Sequence, residues 1–266
     1  MDNPLLGKSI FEVSLDVLRS RGSLVLAPLW SCLATTAMMG IELAGVQILA
    51  RLADGALATL LRWLLDVAFM FAVLFVITFF EACVVLATRA HLDGSPCSFA
   101  MAARLGVAHI PSIARWTLAT TIAFEVMRES LIALASVVPQ PSVGLVITLT
   151  LVWSTCWLGG SLALPAILDR RGGAIEAYLA SCHTLLRGWR DTVAYLLTML
   201  CVVSLVAVGM GVMFYFTGYQ PALLVPETIA MFLVITLLQA FKTVAQTVLY
   251  CQASASRPED DYALAP

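Results

Sequence analysis

Charge is scarce in this sequence. Asp, Glu, Lys and Arg make up 12% of its 266 residues, whereas about 25% is usual in soluble domains. Hydrophobic residues make up 61%, and the mean hydropathy is +0.93. This composition predicts a protein whose solvent is the lipid bilayer. The net charge of -2 averages over two differently charged faces and carries no information about nucleic acid. No nucleic-acid partner is predicted.

Short catalytic motifs are missing as well. The sequence contains no HExxH, GxSxG, P-loop or CxxC pattern, and zinc proteases, serine hydrolases, nucleotide hydrolases and dithiol oxidoreductases depend on such motifs. Only three histidines are present. We therefore predict no catalytic residue, no cofactor and a non-enzymatic protein.

Long apolar runs, by contrast, are abundant. A helix needs about 20 apolar residues to cross a hydrocarbon core about 30 Å thick, and six segments reach that length. They predict an all-α fold, a polytopic membrane helical bundle with a single membrane domain over residues 1–252 and a disordered cytoplasmic tail over 253–266. The predicted spans cover about residues 24–49, 63–87, 113–138, 143–168, 193–217 and 222–249.

Positive charges lie mostly at one side of these spans. Of the 15 Lys and Arg residues, only Arg51 and Arg62 lie on the opposite side, and Arg128 lies within the third span. Cytoplasmic loops retain positive charge, so we predict that both termini are cytoplasmic. The first apolar run is too long for a cleavable signal peptide, and none is predicted. The basic residues on the predicted cytoplasmic side are Lys8, Arg19, Arg21, Arg89, Arg104, Arg115, Arg170, Arg171, Arg187, Arg190, Lys242 and Arg257.

The cysteines favour neither disulfides nor a metal site. None of the seven lies in a predicted outward-facing loop, where an oxidising environment would favour a disulfide. His91 and Cys97 are close in sequence, but the second pair of ligands that a zinc site needs does not accompany them. We predict no metal.

One arrangement occurs three times along the chain, a short amphipathic helix followed by a pair of spans. The predicted interfacial helices cover about residues 9–20, 98–108 and 174–187. Apolar residues of the third helix recur at helical spacing, and two interpretations stay open. The helix lies in the headgroup layer with membrane lipid as its partner, or a face that includes Tyr178, Leu185 and Trp189 docks a membrane or cytoplasmic protein. The oligomeric state is not predicted.

Three sequence landmarks resemble a widespread bacterial and archaeal family of six-span integral membrane proteins of unknown function. They are HLDG at 91–94, ARWTLATT at 114–121 and the long segment at 164–189, which begins LPAILDRRGG and ends in LLRGW. The resemblance implies the six-span topology and a plasma (inner) membrane location, and it adds no catalytic residue. One difference is Glu81, within FFEACVV, where the family usually has an uncharged Asn.

Ionisable residues inside the predicted spans are the candidate functional groups, because each costs several kcal/mol in the membrane unless it is paired or hydrated. Glu125, Arg128 and Glu129 are three and four residues apart on the third span, so they share one helical face. One interpretation is a cation or proton site, in which the carboxylates are ligands or carriers and Arg128 controls their charge. The other is a salt-bridged face buried between helices.

Further acidic residues lie at the predicted outer ends of spans. Glu42, Asp66 and Glu227 have broadly similar depth and predict an acidic outer vestibule, unless they simply reach into the headgroups. Near the inner ends, Glu81 and Lys242 also have similar depth. This predicts an ion pair between them or, alternatively, snorkelling of Glu81 to the interface.

These features predict a non-enzymatic membrane scaffold or accessory subunit. The alternative is a small-solute or ion permease that uses the acidic site around Arg128. A lipid-modifying membrane enzyme is a more remote alternative, because the outer carboxylates have no histidine partner on the same side.

Overall fold

A computed structural model describes residues 9–52, 56–95, 97–137, 160–170, 173–198, 201, 204, 208–209 and 221–255. Within these ranges every regular element is a helix. A short 3-10 helix, Gly22–Val25, joins the first two α-helices, and residues 189–198 are helical after a break at Gly188. The α-helices are α1 (Ile10–Ser20), α2 (Leu26–Leu52), α3 (Ala56–Leu92), α4 (Phe99–Ala108), α5 (Ile110–Val137), α6 (Ala163–Arg170), α7 (Ala174–Arg187) and α8 (Pro221–Ala255).

Local sequence explains several helix ends. The backbone N–H of Glu12 donates to Ser9 Oγ (3.2 Å), and the Glu12 carboxylate accepts from the Ser9 backbone (3.1 Å). This reciprocal pair satisfies two of the donors that every helix start leaves open. Helix α3 ends where Gly94 adopts φ of +71° and the Ser95 N–H donates to the Ala90 carbonyl (2.7 Å), a left-handed C-terminal cap that favours glycine.

Two of the described helical stretches are long and apolar enough to cross a membrane. An 18-residue window within Leu60–Leu92 of α3 has a mean hydropathy of 2.6, and one within Leu233–Ser254 of α8 has 1.4. At about 1.5 Å per residue, the 33 residues of the first measure about 50 Å, which exceeds the hydrocarbon thickness. Helix α3 therefore extends well beyond the predicted span 63–87.

The three predicted interfacial helices correspond closely to α1, α4 and α7. Residues 143–159 of the predicted fourth span, and most of the fifth span beyond residue 198, lie outside the described residues. The predicted tail begins at 253, whereas α8 continues through Ala255; residues 256–266 lie outside the described residues.

The packed core lies at the end of α3 near Leu92, called the inner end below after the predicted topology. Residues 82–85 and 87–88 of α3 are buried there, against the 243–250 stretch of α8. The short helices α1 and α4 pack on this core, and α6 and α7 form a second cluster around Tyr250. Toward the other end, residues 60–77 of α3 are half-buried or exposed. Short helices therefore supply the inner end with a protein interior that the long helices alone do not form.

Candidate functional site

Helix α3 carries three charged side chains that pair with three different helices. Asp66 pairs with Arg128 of α5, Glu81 with Lys242 of α8, and Arg89 with Asp169 of α6. From residue 66 to residue 89 the helix rises by about 35 Å, so the pairs occur at different heights. Helix α3 is thus the common element of these three ion pairs.

At the outer height, Arg128 contacts three carboxylates. Its Nη1 donates to Asp66 Oδ2 (2.6 Å), and its Nη2 donates to Glu129 Oε1 (3.1 Å). The Nη2 atom also lies 2.9 Å from Glu125 Oε2. The geometry therefore brings together the predicted Glu125, Arg128 and Glu129 triplet, and three carboxylates share a single guanidinium.

Glu125 differs from its neighbours in burial. Its side chain is 7% exposed, against 51% for Glu129. Neither carboxylate oxygen of Glu125 has an aligned hydrogen-bond partner among the described residues, although Arg128 is at ion-pair distance. Glu125 is stabilised by proximity to a positive charge without the directional bonds that Asp66 and Glu129 have.

Of the three residues predicted to form an acidic outer vestibule, only the side chain of Asp66 is described, and it accepts a hydrogen bond from Arg128. The side chains of Glu42 and Glu227 lie outside the described residues. The predicted span boundaries put Arg128 deeper in the membrane than Asp66. The two predicted depths therefore did not indicate this pair.

At the inner height, the predicted pairing of Glu81 is present. Lys242 Nζ donates to Glu81 Oε1 at 2.7 Å, and both side chains are half-buried. One charge meets one opposite charge. This contact joins α3 to α8 immediately beside the packed core.

Sequence reasoning missed a second inner cluster, because it treated Arg89 only as a marker of orientation. Arg89 Nη1 donates to Asp169 Oδ1 (3.4 Å), Nη2 donates to the Pro165 carbonyl (3.1 Å), and the guanidinium lies 5.2 Å from the centre of the Tyr250 ring. The Tyr250 hydroxyl donates to Asp169 Oδ2 (3.0 Å). These contacts connect α3, α6 and α8. The residue types carried no local signal, because the hydrogen-bonded partners are 76 to 81 residues apart in sequence and Arg89 and Tyr250 are farther apart still.

The predicted docking face of α7 does not form a single exposed surface. Leu185 is 8% exposed and packs in the cluster around Tyr250, Tyr178 is half-buried, and Trp189 is 59% exposed. The physical reason is that α7 turns its small residues and Leu185 toward the bundle. The grouping of these three residues on one outer face is therefore corrected.

Within the part of the chain that the structure describes, no group of three or more His, Cys, Asp or Glu side chains is arranged to hold a metal ion. The three carboxylates at Arg128 are thus arranged around the guanidinium.

Comparison with models of protein families, with curated proteins and with solved structures finds no match to this chain. The resemblance to the six-span family stays a prediction, and the function must be argued from the residues themselves.

Proposed function

We propose that this chain is a six-span integral membrane protein of the bacterial or archaeal plasma membrane, with both termini cytoplasmic, and that it serves as a non-enzymatic scaffold or accessory subunit. The observation that carries the proposal is the pairing of charges on α3, each with a different helix.

Charged pairs of this kind are costly ways to hold helices together. Desolvating two ions offsets much of their attraction, and an apolar pair of similar size often stabilises as well or better. The pairs nevertheless specify which helices are neighbours and at what height, since an unpaired charge in the membrane is strongly unfavourable. We infer that they fix the order of the bundle, which is the requirement for a rigid scaffold.

The topology is tested with reporter fusions. Alkaline phosphatase is active only outside the cytoplasm. Green fluorescent protein that is exported unfolded does not fluoresce, so its fluorescence reports a cytoplasmic position. Fusions at Leu52 and Gln140 are expected to give phosphatase activity, and fusions at Gly94, Gly172 and Ala255 to give fluorescence. Phosphatase activity at Gly94 would refute the six-span arrangement.

The scaffold role is tested by purifying the tagged chain from its own host in native nanodiscs and measuring the particle mass. A second polypeptide at fixed stoichiometry is expected, retained after Glu125→Gln. A solitary chain that moves a solute across a proteoliposome membrane would overturn the scaffold proposal.

A permease is the second candidate, and one observation favours it. Glu125 is nearly buried and lacks aligned hydrogen bonds, while three carboxylates share one guanidinium. If the carboxylates of this cluster serve transport, Glu125→Gln abolishes flux in proteoliposomes at normal expression. The matched variant Glu129→Gln, at the more exposed carboxylate, retains most of the flux.

A further inference from the structure

Helix α7 has three distinct sides. Ala177, Ser181 and Thr184 are buried against the bundle, and Leu162 N–H donates to Ser181 Oγ (3.0 Å). Glu176, His183 and Arg187 are exposed along a second side. The third side is apolar and is turned away from the protein.

That apolar side is a continuous stripe. Ile175, Leu179 and Leu186 are 77%, 61% and 74% exposed, and their spacing of four and seven residues puts them on one helical face. Trp189, two residues after the end of the helix, is 59% exposed as well. We call Ile175, Leu179, Leu186 and Trp189 the α7 stripe. Large side chains aligned in this way need an apolar medium, because contiguous apolar surface exposed to water is unfavourable.

Positive charge flanks the α7 stripe. Arg187 and Arg190 are exposed at its C-terminal end, and the Arg190 guanidinium lies 5.8 Å from the centre of the Trp189 ring. Trp and basic side chains are enriched at the boundary between lipid and water, where the ring is half immersed and the charge reaches headgroups.

Helix α4 presents the same combination independently. Met101 and Leu105 are exposed on one face with Arg104 between them, while Ala102 and Gly106 are buried. At Gly106 a Cβ would lie 3.3 Å from Cys83 Sγ, so the buried face of α4 is pressed against α3. The exposed face of α4 is therefore the side away from the bundle.

Helix α1 provides the contrast. Its Phe11 ring packs against Phe241 of α8 (5.4 Å between ring centres), so part of its apolar face already has a partner within the chain. Its exposed side carries Glu12 and Asp16 in addition to Arg19.

Helix α7 also carries exposed Glu176, at the end of the helix away from Arg187 and Arg190. At its C-terminal end the two exposed arginines outnumber the one exposed acidic residue, Asp191.

We propose that the outward faces of α4 and α7 lie in the cytoplasmic leaflet, with their apolar residues among the acyl chains and Arg104, Arg187 and Arg190 binding the headgroups of anionic phospholipids. This inference rests on the membrane location proposed above. Charge complementarity favours lipid as the occupant, because the anionic inner leaflet attracts basic side chains next to a span. A protein partner at the α7 stripe is the competing outcome of the test.

Photo-crosslinking identifies the occupant directly. The photoreactive residue p-benzoylphenylalanine is introduced separately at Leu179 and Leu186 of the stripe, at His183 on the charged side as the matched control, and at Ile122, which is 53% exposed on α5. After irradiation in native membranes, Leu179 and Leu186 are expected to form phospholipid adducts several-fold more often than His183, as measured by mass spectrometry.

The other outcomes are distinguishable. Adducts of Leu179 and Leu186 with one discrete protein would overturn the inference in favour of a docking surface. Lipid adducts at Ile122 without any at Leu186 would overturn it while leaving the membrane location intact. Absence of lipid at Ile122 as well would refute the proposed membrane location and the inference together.

The headgroup preference is tested with purified protein in nanodiscs of phosphatidylcholine mixed with phosphatidylglycerol. Native mass spectrometry measures which lipids remain bound. Arg104→Gln combined with Arg190→Gln is expected to lower the preference for phosphatidylglycerol by about fivefold for each arginine removed. The control Arg19→Gln, on the acidic helix α1, is expected to leave the preference unchanged. An unchanged preference in the double variant, or an equal loss in the control, would overturn the assignment of these arginines.

Discussion

The two ends of α3 hold their charges in different ways. At the inner end Glu81 meets one lysine and Arg89 meets one aspartate, in a region where residues 82–85 and 87–88 are buried. At the outer end Asp66 joins Glu125 and Glu129 around the single Arg128, where α3 is half-buried or exposed. The inner contacts are one-to-one ion pairs, whereas at the outer end one guanidinium contacts three carboxylates. The inner pairs join α3 to α6 and α8, and the outer cluster joins α3 to α5.

Removing Arg128 is expected to have the largest effect on this contrast. Arg128→Gln leaves three carboxylates close together, one of them nearly buried, and breaking a buried ion pair costs about 3–5 kcal/mol. We expect a loss of about 4 kcal/mol in the free energy of unfolding, measured by SDS titration in mixed micelles. Glu129→Gln is the control, with less than about 1 kcal/mol expected because Glu129 is exposed. Equal losses of unfolding free energy in the two variants would contradict the inference that Arg128 stabilises the whole carboxylate cluster.

The inner pair is expected to respond differently to a double substitution. Lys242→Leu alone leaves Glu81 without its partner and is expected to lower the free energy of unfolding by about 3 kcal/mol. Lys242→Leu together with Glu81→Leu is expected to recover most of that loss, because an apolar pair of similar size replaces a desolvated ion pair at little cost. The same titration measures both variants. If the double variant does not recover the free energy of unfolding, an apolar pair cannot replace the ion pair, and the charges themselves are required.

A glycine comparison tests the difference in packing between the ends. A side chain at Gly106 meets Cys83 Sγ and Phe79 at 3.3 and 3.4 Å, whereas no described residue lies within 4 Å of a Cβ at Gly40 of α2. Gly106→Leu is expected to cost about 2 kcal/mol through overpacking, and Gly40→Leu is expected to be nearly neutral. Thermal unfolding followed by intrinsic fluorescence measures both. A larger loss of stability for Gly40→Leu than for Gly106→Leu would show that another protein segment packs against α2 at Gly40.

The smallest expected effect concerns the turn that ends α3. Gly94 has φ of +71°, and a Cβ there meets no described neighbour, so only backbone strain opposes a substitution. Gly94→Ala is expected to cost about 1–2 kcal/mol. The control Gly22→Ala, which has neither a positive φ nor a close neighbour, is expected to be neutral in the same thermal assay.

Local features of the chain were predictable from short-range rules. The bounds of α1, α4 and α7 follow from amphipathic periodicity and capping residues such as Ser9 and Ser98, and these depend on contacts three or four residues apart. The Glu125, Arg128 and Glu129 contact follows from the same spacing. The Glu81–Lys242 pair was predictable as well, because two oppositely charged residues at similar depth have few other partners in an apolar environment.

Composition, periodicity and the distribution of basic residues therefore determined by themselves the helical class, the positions of the short helices and the expectation of a membrane. Tertiary structure decided which groups meet across helices, since the rotation of one helix against another is invisible in a single apolar sequence. Asp66 contacts Arg128, Arg89 contacts Asp169 and Tyr250, and Leu185 packs in the core rather than on an outer face. Each of these depends on side-chain direction, which packing between helices fixes and local sequence does not.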